Sequence, residues 1–310
     1  MKIVIMGSGG LGGYFGFRLA QAGNEVHFIA RGPHLDAMKG DGLHLVTSEE
    51  SSTIKVQATD NPSGVGTAEL VLFCVKTYDT LTAAKAILPI LGDRSLVLTL
   101  QNGVDNFDII SGVAGKGRVL PGAALIVSEI QASGTIQVSS KVRKIIFGEI
   151  DGSATTRAER ITQVFKRAEI DTELTSEVGK VLWRKMVWIC GMAGMTSLVR
   201  QPIGKIVSDP DSREIFRLVM EEVVEVANSK GIDIGGKAFA KRQVDFTDNL
   251  ERNLTSSMMR DLLAGRRLEL EALNGAIVRI GRENGIPTPM NQAIYVALKP
   301  YANGTIKRHP

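Results

Sequence analysis

Cysteine and histidine are scarce in this chain of 310 residues, which contains two cysteines and four histidines. Cys74 and Cys190 each lie in an apolar run, so no disulfide scaffold is expected and a reducing cytoplasm is the predicted compartment. The histidines lack the spacing typical of metal ligands, and no metal site is predicted. They are His27, His34, His44 and His309.

Long apolar runs and a strong excess of one charge are also missing. The longest nearly apolar stretch, Met186 to Val199, is shorter than the roughly 18 residues that a bilayer requires, and we expect a buried helix there. Residues 1–6 are too short an apolar run for a signal peptide. The 37 Lys and Arg residues against 33 Asp and Glu give a net charge of +4, spread along the chain. Neither a membrane nor a nucleic-acid partner is therefore predicted.

The first half of the chain alternates short apolar runs with helical patterns, which is typical of a doubly wound parallel sheet. We predict a Rossmann-type sheet of six or more strands and a helix between Thr80 and Leu91. The predicted strands are Lys2 to Met6, Glu25 to Ala30, Leu43 to Thr47, Ile54 to Ala58, Leu70 to Val75, Leu96 to Leu100 and Lys144 to Ile150.

From Thr155 onward the pattern becomes helical. Thr156 and Glu159 fit a capping box at the start of one helix, and another helix follows Asp209-Pro210. A long helix is predicted from Ser257, interrupted near Gly265 and ending near Gly285. The sequence thus predicts an α/β Rossmann-type domain over residues 1–175 and an all-α C-terminal domain over residues 176–310.

A glycine-rich loop directly after the first strand predicts dinucleotide binding. Its residues are Gly7, Ser8, Gly9, Gly10, Leu11 and Gly12, in the GxGxxG pattern between a strand and a helix. The first glycine allows a tight turn, the second lets a pyrophosphate approach the backbone, and the third lets the helix pack on the strand. The alternative is a purely structural glycine-rich turn.

Arg31 follows the second predicted strand, at the position that discriminates NAD from NADP in Rossmann-type domains. An acidic residue there bonds the ribose 2′-hydroxyl of NAD, whereas an arginine accommodates the 2′-phosphate of NADP. Arg31 therefore favours NADPH over NADH, although a solvated loop cation is the alternative interpretation.

Two charged residues are predicted on buried helical faces. Lys185 lies on the apolar stripe that Val178, Val181 and Trp188 form, and Glu269 shares a face with Leu273. If the two meet, Glu269 would keep the desolvated Lys185 ionised and available as a general acid. The alternatives are a snorkelling lysine and a structural salt bridge.

These motifs together resemble the ketopantoate reductase (2-dehydropantoate 2-reductase) family over nearly the whole chain. The resemblance includes the glycine loop, Arg31 and a C-terminal block that contains Ser257 and Glu269. Further matching segments are Val75-Lys76-Thr77, Gln101-Asn102-Gly103, Leu182-Trp183-Arg184-Lys185, Asp261, Gly265-Arg266 and Asn274-Gly275.

The resemblance implies NADPH-dependent reduction of a 2-oxo acid to a D-2-hydroxy acid, in a cleft between the two domains. It implies that Lys185 is the general acid and Glu269 its carboxylate partner. It also implies that Lys76 binds the cofactor, Asn102 lies near both nicotinamide and substrate, and Ser257 binds the substrate. The structural alternatives are a loop cation for Lys76, a turn at Asn102 and an N-cap for Ser257.

The sequence departs from the family pattern at three positions. Family members that make pantoate carry asparagines where this chain has Ile189, Ala193 and Ile203, so a more apolar 2-oxo acid is an alternative substrate. Three hypotheses follow: a ketopantoate reductase of pantothenate biosynthesis, a reductase of a branched or aromatic 2-oxo acid, and a non-catalytic NAD(P)-binding sensor. The oligomeric state is left open, and a homodimer is compatible with the sequence.

Overall fold

The computed structural model describes residues 1–304, which fold as two compact units. The first unit contains residues 1–101 and 106–178. The second contains Asn102–Asp105 and the chain from Gly179 onward. The short segment 102–105 thus groups with a part of the chain that lies more than seventy residues further along the sequence.

The first unit is built on an eight-stranded sheet in the order β12-β11-β8-β7-β6-β1-β2-β5. All pairs are parallel except β11 with β8, which is antiparallel. The strands are β1 (Lys2–Met6), β2 (Glu25–Ile29), β5 (Gln57–Thr59), β6 (Ala68–Phe73), β7 (Leu91–Thr99), β8 (Val119–Leu125), β11 (Lys144–Phe147) and β12 (Asp171–Leu174).

Strand β1 shows why this sheet must be covered on both faces. Ile3 and Ile5 belong to one buried cluster, whereas Val4 and Met6 belong to another. Successive side chains of a strand point to opposite faces, so both faces are buried, as in a doubly wound sheet. The helices of this unit are α1 (Gly10–Gln21), α2 (Gly32–Gly40), α3 (Thr80–Ala86), α4 (Asn106–Ala114) and α5 (Thr156–Arg167).

A second, four-stranded sheet has the order β4-β3-β10-β9 and was not predicted. Its strands are β3 (Leu43–Val46), β4 (Ser51–Ile54), β9 (Ser128–Ala132) and β10 (Thr135–Val138). The single strand predicted from Ile54 to Ala58 is wrong. Ile54 pairs with Leu43 in the small sheet, whereas Gln57 pairs with His27 in the large one, so the chain changes sheets between them.

The second unit is all helical around one apolar core. Its helices are α6 (Val178–Val199, whose first residue belongs to the first unit), α7 (Ile203–Ser208), α8 (Pro210–Ser229), α9 (Gly236–Thr247), α10 (Ser257–Leu263), α11 (Asn274–Glu283) and α12 (Pro289–Leu298). The predicted Rossmann-type sheet followed by an all-α region is thereby confirmed. Among residues 1–304, no helix is both long and apolar enough to cross a membrane.

Two local predictions in the helical segments are corrected, one of them only in part. The N-cap of α5 is Thr155, not Thr156, because the Thr155 hydroxyl accepts a hydrogen bond from the Ala158 N–H. α10 ends at Leu263, close to the interruption predicted near Gly265, but its continuation is not one helix: a 3₁₀ turn over Leu270–Ala272 precedes α11. Glu269 is therefore not on a helical face, although it is buried, with 7% of its surface exposed.

Candidate active site

The glycine loop has the geometry that its three glycines predict. Gly7 has a φ of 98°, and a Cβ there would lie 2.7 Å from the Val75 nitrogen. A Cβ on Gly12 would lie 2.2 Å from the Gly7 carbonyl oxygen, so helix α1 packs against the loop as closely as a glycine permits. Around Gly9, by contrast, a Cβ would meet no described atom within 4 Å. The loop therefore leaves open space at its middle glycine.

The start of α1 has the features of an anion-binding helix terminus. Gly9 is its N-cap and provides no side chain, and the first turn carries no acidic residue. The backbone N–H groups of such a first turn are available to a phosphate. Strand β9 also approaches this helix, since a Cβ on Gly10 would lie 2.5 Å from the Ser128 carbonyl oxygen. Leu11 packs against the neighbouring core.

His34 is hydrogen-bonded to the glycine loop, a contact that the sequence does not predict. Its Nδ1 accepts a hydrogen bond from the Gly134 N–H at 3.0 Å, which places the ring proton on Nε2, 2.9 Å from the Ser8 carbonyl oxygen. Burial lowers the pKa of His34, which favours this neutral form. The Ser8 hydroxyl is itself bonded to the Ile29 carbonyl at 3.0 Å. These contacts tie the loop to β2 and to the turn at Gly134.

Arg31 and Lys76 lie at the same edge of the sheet as the glycine loop. Strands β2 and β6 flank β1, and Arg31 and Lys76 follow the carboxyl ends of those two strands. The Arg31 side chain is 66% exposed, and its Nη1 lies 3.9 Å from the Asp79 carboxylate. This edge, at the point where strand order changes direction, is where open α/β sheets bind nucleotides.

Asn102 lies in the segment that groups with the helical unit. Val104 packs against the helical core, and Asp105 forms an ion pair with Arg279. Gly103, with a φ of 98°, makes the turn beside Asn102. Gln101 remains in the first unit, where its amide donates to the Val75 carbonyl at 2.9 Å and to the Thr80 hydroxyl at 2.8 Å.

The structure brings Lys185 and Glu269 within electrostatic range of each other, both in the helical unit. Burial lowers the pKa of Lys185 to about 8, and the charge of Glu269 opposes that shift. An ammonium with this pKa is mostly protonated at pH 7 and gives up its proton more readily than an ordinary lysine. The charge of Glu269 thus favours the ionised form of Lys185.

Ser257 is the first residue of α10 and is exposed. The N-cap of that helix is Ser256, whose hydroxyl accepts from the Met259 N–H at 3.0 Å and lies 2.7 Å from the Thr196 hydroxyl. Ser257 is therefore not the cap of α10.

The three apolar replacements all belong to the helical unit. Ile189 and Ala193 follow Lys185 at intervals of four residues, so they share its side of α6. Ile189 is partly buried, while Ala193 and Ile203 are 4% and 1% exposed. Within the described residues, no group of three or more His, Cys, Asp and Glu side chains is arranged to hold a metal ion. His309 lies outside the described residues.

The fold and these residues define a nicotinamide-dependent oxidoreductase of the Rossmann type with a helical second unit. Residues 3–152 match the family described as ketopantoate reductase PanE/ApbA, and residues 177–302 match its C-terminal domain. The chain belongs to this family, and it is accordingly an NAD(P)-dependent oxidoreductase that acts on a CH–OH group.

Individual relatives and solved structures match nearly the whole chain. The chain is 31% identical to a 2-dehydropantoate 2-reductase from Archaeoglobus fulgidus, with 94% of this chain and 95% of that one covered. A crystal structure of a PanE/ApbA family ketopantoate reductase from Ralstonia eutropha matches with 33% identity, coverage of 97% and 98%, and a TM-score of 0.90. A D-mandelate dehydrogenase in complex with NADH and anilino(oxo)acetate, 20% identical over 97% of this chain and 98% of its own, shares the fold with a TM-score of 0.91.

Proposed function

We propose that this protein reduces a 2-oxo acid to a D-2-hydroxy acid with NADPH, as a 2-dehydropantoate 2-reductase or a close relative. The observation that carries the proposal is the partly buried Lys185, with a pKa of about 8, acted on by the carboxylate of the buried Glu269. A carbonyl that accepts a hydride becomes an alkoxide and needs a proton donor whose pKa lies near the working pH.

The residues at the sheet edge fit a bound NADPH, which supplies the hydride. The open space at Gly9 and the N–H groups of the first turn of α1 would hold the pyrophosphate. The exposed Arg31 would pair with the 2′-phosphate, and Lys76 would add a second positive charge. Asp79 is the present neighbour of Arg31, so the phosphate must compete with a carboxylate at 3.9 Å.

Lys185 would donate its proton to the alkoxide oxygen as the hydride reaches the carbonyl carbon. Glu269 would keep Lys185 protonated until that moment, because its charge opposes the effect of burial. Asn102 and Ser257 would bind the substrate by hydrogen bonds, as the family resemblance implies. The exposed hydroxyl of Ser257 supports that role, since it is not the cap of α10.

A more apolar 2-oxo acid is a second candidate substrate, and the residues next to Lys185 favour it. Ile189 and Ala193 offer no hydrogen bond to a substrate hydroxyl, and a buried hydroxyl without a partner costs about 1–3 kcal/mol. The proposed reaction is unchanged, and only the side chain of the acid differs.

Oxidation of NADPH, followed by its absorbance, tests the proposal against a panel of 2-oxo acids. The panel contains ketopantoate, straight and branched aliphatic acids, and an aromatic acid. Reduction of at least one member with D-configuration of the product supports the proposal. Failure with every 2-oxo acid, at cofactor concentrations shown by titration to saturate the protein, would contradict it.

A further inference from the structure

A buried polar network joins four helices of the second unit. Asn274, at the start of α11, is fully buried and donates from Nδ2 to the Asn291 amide oxygen at 2.9 Å and to the Cys190 carbonyl at 3.3 Å. Asn291, in turn, donates to Glu222 at 2.7 Å and to the Val219 carbonyl at 3.1 Å. The network therefore ties α11 to α6 directly, and to α8 through α12.

The orientation of the Asn274 amide is set by its neighbours. Both groups near Nδ2 are acceptors, so a flipped amide would place its oxygen against two other oxygens. The Asn274 side chain also packs directly against α6 at Gly194. A Cβ on Gly194 would lie 2.9 Å from Nδ2 and 3.1 Å from Oδ1 of Asn274. Oδ1 itself has no hydrogen-bond partner among the described residues. A buried amide that leaves one atom unsatisfied is costly, so its retention calls for an explanation.

Two residues of the network lie close in sequence to the proposed catalytic pair. Cys190 lies five residues after Lys185 on the same helix, and Asn274 lies five residues after Glu269. Because Glu269 is not in a helix, helical register does not fix its position. The turn that follows it is compact: a Cβ on Gly275 would lie 3.0 Å from the Leu270 carbonyl oxygen. Because only a short, compact segment separates the two residues, the position of Asn274 fixes that of Glu269.

We propose that Asn274 is a positioning residue that holds the Glu269 segment against α6 and so fixes the separation of Glu269 from Lys185. This inference rests on the proposed function, since it assigns Asn274 a role in the action of that pair. Asn274 does not touch the reacting groups in this account. It acts through the position of Glu269 alone.

The consequence is a change in the pH dependence of turnover. Interaction between charges weakens with distance, so a Glu269 released from its anchor opposes the desolvation of Lys185 less. In Asn274→Ala the apparent pKa of the acid should fall, by less than in Glu269→Gln, where the charge is removed. Turnover at pH 7 should drop severalfold and recover toward pH 6.

Gly194→Ala provides a second variant in case Asn274→Ala fails to fold. Its added methyl group displaces the Asn274 side chain without removing any hydrogen-bonding group, and the same direction of pKa shift is expected. Thr247→Ala is the matched control. Thr247 is a buried residue of the same unit, and its hydroxyl donates a hydrogen bond to the Val244 carbonyl within its own helix. It should lower stability and leave the pH profile unchanged.

The outcomes separate the inference from the proposed function. If the wild type lacks an ionisation near pH 8 in its turnover, or if Lys185→Ala is fully active, the proposed function fails. If the wild type shows that ionisation and the folded Asn274→Ala or Gly194→Ala variant keeps the wild-type pKa, Asn274 is only a structural residue and the inference is overturned. A shift shared by Thr247→Ala would also overturn it.

Discussion

Replacing Glu269 with glutamine should move the alkaline limb of the pH–rate profile to lower pH. In the wild type, burial lowers the pKa of Lys185 to about 8 although the charge of Glu269 opposes this. A nearby opposite charge raises the pKa of an ionised lysine by about 1–3 units. Glutamine keeps the shape of the side chain and removes its charge, so the pKa of Lys185 should fall by that amount.

The size of the effect at pH 7 follows from the protonated fraction. With a pKa of about 8, roughly nine-tenths of the molecules carry a protonated Lys185 at pH 7. A fall of about two units leaves roughly one-tenth, so turnover at pH 7 should decrease about tenfold. Acidification should restore much of this loss, because Lys185 becomes protonated again.

Initial rates of NADPH oxidation with a saturating 2-oxo acid, measured across the pH range, provide the assay. Glu271→Gln is the control, since Glu271 is exposed and its carboxylate accepts from the Tyr295 hydroxyl at 2.8 Å. Its profile should match that of the wild type. An unchanged alkaline limb in Glu269→Gln, or the same shift in both variants, would refute the reasoning.

Three further predictions concern the cofactor and the substrate. Arg31→Ala should weaken NADPH binding far more than NADH binding in fluorescence titrations, and equal losses would remove Arg31 from the cofactor site. Gly12→Ala should reduce binding of both cofactors and lower the melting temperature, because its Cβ would lie 2.2 Å from the Gly7 carbonyl oxygen; unchanged affinity and melting would contradict the close packing of α1. Ile189→Asn or Ala193→Asn should shift the ratio of kcat/KM values toward ketopantoate by roughly ten- to a hundredfold. If the unmodified protein already prefers ketopantoate, the inference from its apolar residues is wrong.

The glycine loop shows what local sequence can predict. Its turn, its open middle glycine and its close helix packing depend on residues adjacent in the chain, and all three features follow from the spacing of Gly7, Gly9 and Gly12. His34 shows the opposite case. Its role depends on a hydrogen bond from Gly134, 100 residues further along, and no pattern around His34 indicates that contact.

Strand β8 is not among the predicted strands, and it contains Pro121 and Gly122, which are typical of turns. In the structure Gly122 is required by packing, since a Cβ there would lie within 3.1 Å of side chains from Leu98, Leu100 and Phe147. Tertiary contacts thus override the local signal.

Glu269 matches its prediction only in part. Its burial and its interaction with Lys185 agree with the structure. The helical face that led to it does not exist, because the chain leaves the helix after Leu263 and forms α11 only from Asn274. Apolar spacing continued through the break, and spacing alone cannot distinguish one helix from two in succession.

The most direct test of the account is a single-turnover measurement of hydride transfer in Lys185→Ala, paired with the dissociation constant of NADPH. A positioned general acid contributes roughly 10²- to 10⁴-fold to the chemical step. We predict a loss of that size in the rate of hydride transfer, with NADPH affinity close to that of the wild type. A variant that transfers hydride at a near-normal rate would contradict the assignment of Lys185 as the acid and leave it a structural lysine.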